Sequence, residues 1–159
     1  MIMNRSGIIK YLNIYKIGGG MGRTIVTYAG GMAFCGCGAS GHETTMDASH
    51  EVGGADSAPR PVEVLLSALG GCTGMDVISI LRKMKTEPKG LRIEIEDERE
   101  PDYPRAITRI HLSYIVEGDV PIANASKAID LSLERYCPIA NTLVGVARIT
   151  SEVRIEAAH

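Results

Sequence analysis

From Pro61 to about Lys85 no further proline interrupts the chain, and Leu65, Leu66, Ala68, Leu69, Met75, Val77, Ile78, Ile80, Leu81 and Met84 leave almost no polar face before the charges at Arg82, Lys83 and Lys85. Proline suits the first turn of a helix, where its missing N–H costs nothing, and cations suit the last. The pattern predicts one helix of about 24 residues, roughly 36 Å long by its rise and buried on all sides. A chain of 159 residues can hardly enclose such a rod alone. A second copy is therefore expected to cover part of it, making the protein a homodimer.

The remaining segments are β-prone or amphipathic. Between Arg23 and Asp47, TIVTYA, MAFCGC and HETTMD alternate with glycine turns, which suggests antiparallel hairpins, and the Gly-, Ser- and Pro-containing stretch Ala48 to Arg60 reads as a loop. After Pro88, LRIEIEDERE and AITRIHLSYIVEG alternate apolar with charged residues and predict an antiparallel pair linked through PDYP. Pro121 to Tyr136 carries helical periodicity, Pro138 breaks or re-aims it, and ARITSEVRIEA predicts a last strand. The order is α+β. With 45% hydrophobic residues the chain supports one domain over 23–159, preceded by an extension over 1–22 that is either poorly ordered or an additional strand.

The 17 basic and 19 acidic side chains are scattered and sum to −2, so no basic face exists for nucleic acid. No run is expected to reach the roughly 18 apolar residues that span a bilayer, and the opening residues lack the plan of a signal peptide. A cytoplasmic protein is expected, in which four cysteines are reduced thiols and any pair that joins is catalytic or redox-sensing.

Cys72 lies mid-helix in LGGCTGMD, crowded by Gly70, Gly71 and Gly74. Each glycine costs a helix on the order of 1 kcal/mol relative to alanine, so something must approach closely there. The plain reading is a small buried hydrophobe beside a tight crossing; the functional reading is a reactive thiol. Cys137, in RYCPIANTL, sits where Pro138 starts a new turn, and the unpaired N–H groups of that turn favour a thiolate. The two cysteines are 65 positions apart, so only the fold can bring them together.

The segments PVEVLLSALGGCTGMDVISILRKM, RYCPIANTL and GGMAFCGCGASGHETTMDAS together resemble the OsmC/Ohr family of peroxide-reducing proteins, from about Arg23 to the end. The resemblance implies an intertwined α+β homodimer with sheets wrapped around long central helices. It implies a thiol-dependent peroxidase in which Cys72 attacks an organic hydroperoxide or hydrogen peroxide, becomes a sulfenic acid and condenses with Cys137 to a disulfide. An external dithiol or protein thiol then reduces it, and no cofactor or metal is required. The apolar surroundings of Cys72 favour an organic peroxide. The family also uses a glutamate directly after the helix-opening proline; here that slot holds Val62 and the acid stands at Glu63, on the opposite face of the helix from Cys72. Glu63 is the candidate third catalytic residue, reaching the partner's site, with a salt bridge as the other reading.

The family's arginine has no clear counterpart among Arg23, Arg60 and Arg109; Arg60 is the best placed by sequence, since its loop enters the Cys72 helix. Asp76, one turn beyond Cys72, reads as a structural carboxylate that caps or bonds to backbone across the interface. Cys35 and Cys37 share a strand face near His42 and His50, but their spacing fits no common zinc module. His111 and His159 carry no reading of their own. A redox-sensing or small-molecule-binding module on the same fold, keeping the dithiol without efficient turnover, is the alternative.

Overall fold

The computed structural model describes residues 22–157, so the expectations for the N-terminal extension and His159 fall almost wholly outside the described residues. The chain forms two compact units, one up to Val64 and one from Leu65 onward.

In the first unit, β1 (Ile25–Gly30), β2 (Ala33–Cys37) and β3 (Glu43–Met46) form an antiparallel sheet in that order, with Ile25 opposite Cys37 and Phe34 opposite Met46. These are the expected hairpins. Gly30 and Gly31 turn the first hairpin with positive φ, the conformation in which glycine carries no Cβ penalty. The loop that follows is held by Asp47, buried at 3% exposure. Its Oδ1 accepts the Ala48 N–H at 2.8 Å, and its Oδ2 accepts the N–H groups of Ala55 and Ser57 at 3.1 Å each and the Ser57 hydroxyl at 2.8 Å. The Ser57 bonds above all hold the Asp47 carboxyl at about 2, well below its ordinary range.

α1 (Pro61–Lys83) is continuous and opens on the expected proline. Glu63 Oε2 accepts the Arg60 N–H at 2.8 Å, the returning half of a capping box. The helix buries only one stripe, comprising Leu66, Leu69, Gly70, Thr73, Val77 and Leu81, while Met75 is 71% exposed. The single chain thus leaves part of the helix uncovered, as expected of a rod too long for one chain to enclose. By length and composition α1 alone among the described residues suffices to cross a bilayer, which corrects the expectation that no stretch reaches that length and apolarity. Leu69, Val77 and Leu81 are nevertheless fully buried within protein.

In the second unit, β4 (Gly90–Arg99), β5 (Ile107–Glu117) and β6 (Arg148–Glu156) form a sheet in that order. β4 and β5 are the expected antiparallel pair, and β6 runs parallel to β5. A parallel neighbour needs a crossover. It is built from α2 (Ile122–Leu131), a π turn over Ser132–Tyr136 and α3 (Pro138–Leu143). Ile110, Leu112, Tyr114 and Val116 of β5, Leu69, Val77 and Leu81 of the helix and Ala125, Ala128 and Ile129 of α2 are all buried and make up most of the core of this unit. The helical glycines separate in role. A Cβ on Gly70 would come within 2.9 Å of Ile95 Cδ1 and one on Gly74 within 3.1 Å of Ile93 Cδ1, so both let α1 lie close on β4; a Cβ on Gly71 meets nothing within 4 Å.

Candidate functional site

The helical break at Pro138 builds one half of the site. The π turn closes with the Cys137 N–H donating to the Ser132 carbonyl at 2.8 Å, which ends α2 with an enlarged turn and makes Cys137 the N-cap of α3. Such π insertions occur often at functional sites. Cys137 is fully buried, and its Sγ accepts the Ala140 N–H at 3.3 Å. Asn141 Nδ2 donates to the Cys137 carbonyl at 2.9 Å and fixes the junction.

α1 supplies the other half. Cys72, half-buried, and Asp76 follow one another by four residues and so share a face. The two sulfurs and an Asp76 carboxylate oxygen all lie within 4.8 Å of one another, and this is the one such cluster of metal-binding side chains among the described residues. Asp76 takes a structural role, with a side chain rather than backbone as its partner: its Oδ2 accepts the hydroxyl of fully buried Ser132 at 2.9 Å, which ties α1 to the π turn.

Burial raises the Cys72 thiol to about 11, helped by its hydrogen bond with Cys137 and by the negative charge of Cys137 and Asp76; only the Ile139 N–H pulls the other way. Behind the pair lies Tyr114, fully buried, with its hydroxyl the one buried side-chain polar atom among the described residues that lacks a well-formed hydrogen bond. Thr73, its neighbour, donates instead to the Gly70 carbonyl at 3.2 Å. Burial lifts the Tyr114 phenol to about 12, with Thr73 pulling the other way and the charges of Cys137 and Asp76 adding to the rise.

Of the residues singled out from sequence, the fold brings Cys72 and Cys137 together and adds Asp76. Glu63 caps its own helix nine residues before Cys72. Arg60 binds Asp56 Oδ1 at 2.5 Å and the Ala58 carbonyl at 3.4 Å. Arg109 pairs with Glu98 at 3.2 Å on the face of the sheet, and His111 Nδ1 lies 2.8 Å from Thr150 Oγ1 across β5 and β6. Cys35 and Cys37 stay on β2, both half-buried, and neither belongs to the cluster. Ser132 and Tyr114 were not singled out from sequence. The one signal that bears on Ser132 is its place five residues before Cys137 in a stretch that a proline forces to change pitch.

Comparison with known proteins places the chain in a family. The family model "OsmC-like protein" matches residues 54–152, which include both cysteines of the pair and Asp76. Protein YhfA of Escherichia coli (strain K12) is 38% identical over 134 residues, covering 84% of this chain and 97% of that protein. A hypothetical protein from Aquifex aeolicus VF5 has a TM-score of 0.77 at 23% identity, covering 88% of this chain and 99% of that one. An organic hydroperoxide resistance protein OsmC from Legionella pneumophila has a TM-score of 0.65 at 15% identity, covering 84% and 96% of the two chains, a likeness of fold. On the family match and the identity to YhfA, this α+β chain belongs to the OsmC-like protein family.

Proposed function

We propose that the protein is a cysteine-based peroxidase that reduces organic hydroperoxides, and hydrogen peroxide less well, in the cytoplasm. The observation that carries the reading is the placing of two free thiols, 65 positions apart in the chain, within 4.8 Å of one another. The Cys72 thiolate attacks one peroxide oxygen, the O–O bond breaks, and the alcohol leaves with a proton while the sulfur becomes a sulfenic acid. The Cys137 thiol then displaces water to form the disulfide. An external dithiol returns the two electrons and two protons, so no bound cofactor takes part. Closing the pair needs the sulfurs to approach from within 4.8 Å to about 2.05 Å, a change of side-chain rotamer.

A thiol at about 11 is thiolate in roughly one molecule in ten thousand at pH 7. The reading therefore includes a homodimer in which a second subunit covers the exposed apolar side of α1, where Leu65 and Met75 lie open, and brings a cation towards Cys72. Arg60 and Glu63, engaged with their own loop and helix start in one chain, are the groups to serve the partner's thiol. The high pKa of Cys72 in the single chain also favours the second reading, a slow redox sensor on the same fold. Steady-state consumption of cumene hydroperoxide with a dithiol separates the two: a peroxidase turns over saturably and loses turnover in Cys72→Ser, whereas a sensor is oxidised once, stoichiometrically.

A further inference from the structure

The trio of Cys72, Asp76 and Cys137 has more in it than a disulfide needs. A resolving thiol needs only the attacking sulfur within reach, yet here a carboxylate stands with both sulfurs inside a 4.8 Å circle, oriented by a buried Ser132 hydroxyl at 2.9 Å. A metal-binding carboxylate is oriented by a partner in this way. Zinc(II) bound tetrahedrally at about 2.3 Å from sulfur and about 2.0 Å from oxygen sets two sulfurs about 3.8 Å apart and sulfur and oxygen about 3.5 Å apart. From separations within 4.8 Å the trio reaches that geometry by closing at most about 1.3 Å, within the reach of side-chain rotation. None of its three members is basic, and a metal that displaces the two thiol protons answers the charge the sulfurs then carry. Nearby, the buried Tyr114 hydroxyl has no well-formed hydrogen bond and can serve the water that completes a three-ligand site.

We propose that the reduced chain binds one thiophilic divalent cation, zinc(II) being the probe, through the sulfurs of Cys72 and Cys137 and a carboxylate oxygen of Asp76, so that metal binding and disulfide formation compete for the same two thiols. This departs from the expectation of no metal drawn from sequence. It shares the thiol pair with the peroxidase reading and none of its chemistry, because binding exchanges protons for the metal and transfers no electrons. Oxidation by a hydroperoxide, which removes two electrons and two protons from the pair and leaves an alcohol and water, abolishes the site.

The test is titration of the reduced, full-length protein, without free dithiol and under inert gas, with zinc(II) against a chromogenic chelator and with cobalt(II) for the thiolate-to-metal charge-transfer band. One metal per chain is expected. Cys72→Ser and Cys137→Ser should each weaken zinc binding by about 100-fold or more and remove the cobalt band, and Ser132→Ala should weaken it by about 10-fold or more with the band kept. The double variant Cys35→Ser/Cys37→Ser should bind as the wild type does, and the disulfide form should bind none. Circular dichroism checks each fold, and Cys72→Ala and Cys137→Ala replace a serine variant that unfolds. Absence of zinc binding by the reduced wild type overturns the proposal, as does binding that survives loss of Cys72 or Cys137 but not of Cys35 and Cys37. Peroxide consumption in the same preparations with chelator present reports separately: zinc binding without turnover keeps this proposal and removes the peroxidase reading, and turnover without zinc binding does the reverse.

Discussion

Two pairs of cysteines stand in this chain, and the pair that is closer in sequence is the one less able to act together. Cys35 and Cys37 alternate on β2 with parallel side chains about 6.6 Å apart, each opposite a residue of β1 and of β3, an arrangement unsuited to a disulfide. Cys72 and Cys137 are 65 positions apart, yet they meet within 4.8 Å with Asp76, because Asp76 of α1 holds Ser132 and the π turn that starts there ends at Cys137. The contrast teaches that two distant thiols are brought together by packing and by the pitch of the backbone at one junction rather than by spacing along the chain.

The largest effect that can break this comparison lies in turnover. Cys72→Ser should lower peroxide consumption by about 1000-fold or more, as loss of a nucleophile does, while Cys35→Ser/Cys37→Ser should stay within about twofold of wild type. Comparable losses in both would erase the distinction between the pairs.

Dimerisation sharpens it next. Met75→Glu puts a charge on the exposed apolar side of α1, and should raise the dimer dissociation constant by about 100-fold or more by sedimentation. The pH dependence of Cys72 alkylation should change with it. In the monomer the thiol sits at about 11, so its alkylation rate rises about tenfold per pH unit from pH 7 and levels near that value; in the dimer, with a cation at hand, it should level well below. The sign for stability follows. The folded thiol is raised above its ordinary 9.0, so the stability that Cys72 contributes to the monomer is fully present below about pH 9 and is lost as pH rises through about 11. Identical alkylation profiles for monomer and dimer would remove the partner's cation from the account.

Smaller effects lie in the supports. Ser132→Ala leaves Asp76 without its buried donor and should cost about 1–3 kcal/mol in denaturant unfolding. In the first unit, Asp47 is held near 2, below its ordinary 3.8, so its contribution is present above about pH 3.8 and is lost as pH falls through about 2. Asp47→Asn should flatten that acid limb in a pH series of melting temperatures, and an unchanged limb would show that the loop does not depend on the charge.

Much of this frame was legible in the sequence. Pro61 and the apolar run mark α1 to within a turn, the alternation of LRIEIEDERE and AITRIHLSYIVEG gives β4 and β5, and Pro138 marks the junction that holds Cys137. The close packing around Gly70 and Gly74 was expected as an approach to the helix, though not that Ile95 and Ile93 of β4 are what approaches. The parallel pairing of β6 was not legible, since a strand's alternation does not tell its direction. Nor was the use of Asp76, because its partner Ser132 lies 56 positions away and the π turn that aims it has no sequence period of its own. Glu63 drew attention because the resemblance implies a glutamate one position earlier, and its bond to the Arg60 N–H shows the capping role that position three of a helix commonly takes.

The central claim is that Cys72 and Cys137 form the working pair. It is tested most directly by treating the reduced protein with one equivalent of cumene hydroperoxide, blocking free thiols and mapping the peptides by mass spectrometry. A Cys72–Cys137 disulfide with Cys35 and Cys37 both alkylated is the predicted result; four alkylated cysteines, or a bond that involves Cys35 or Cys37, would contradict it.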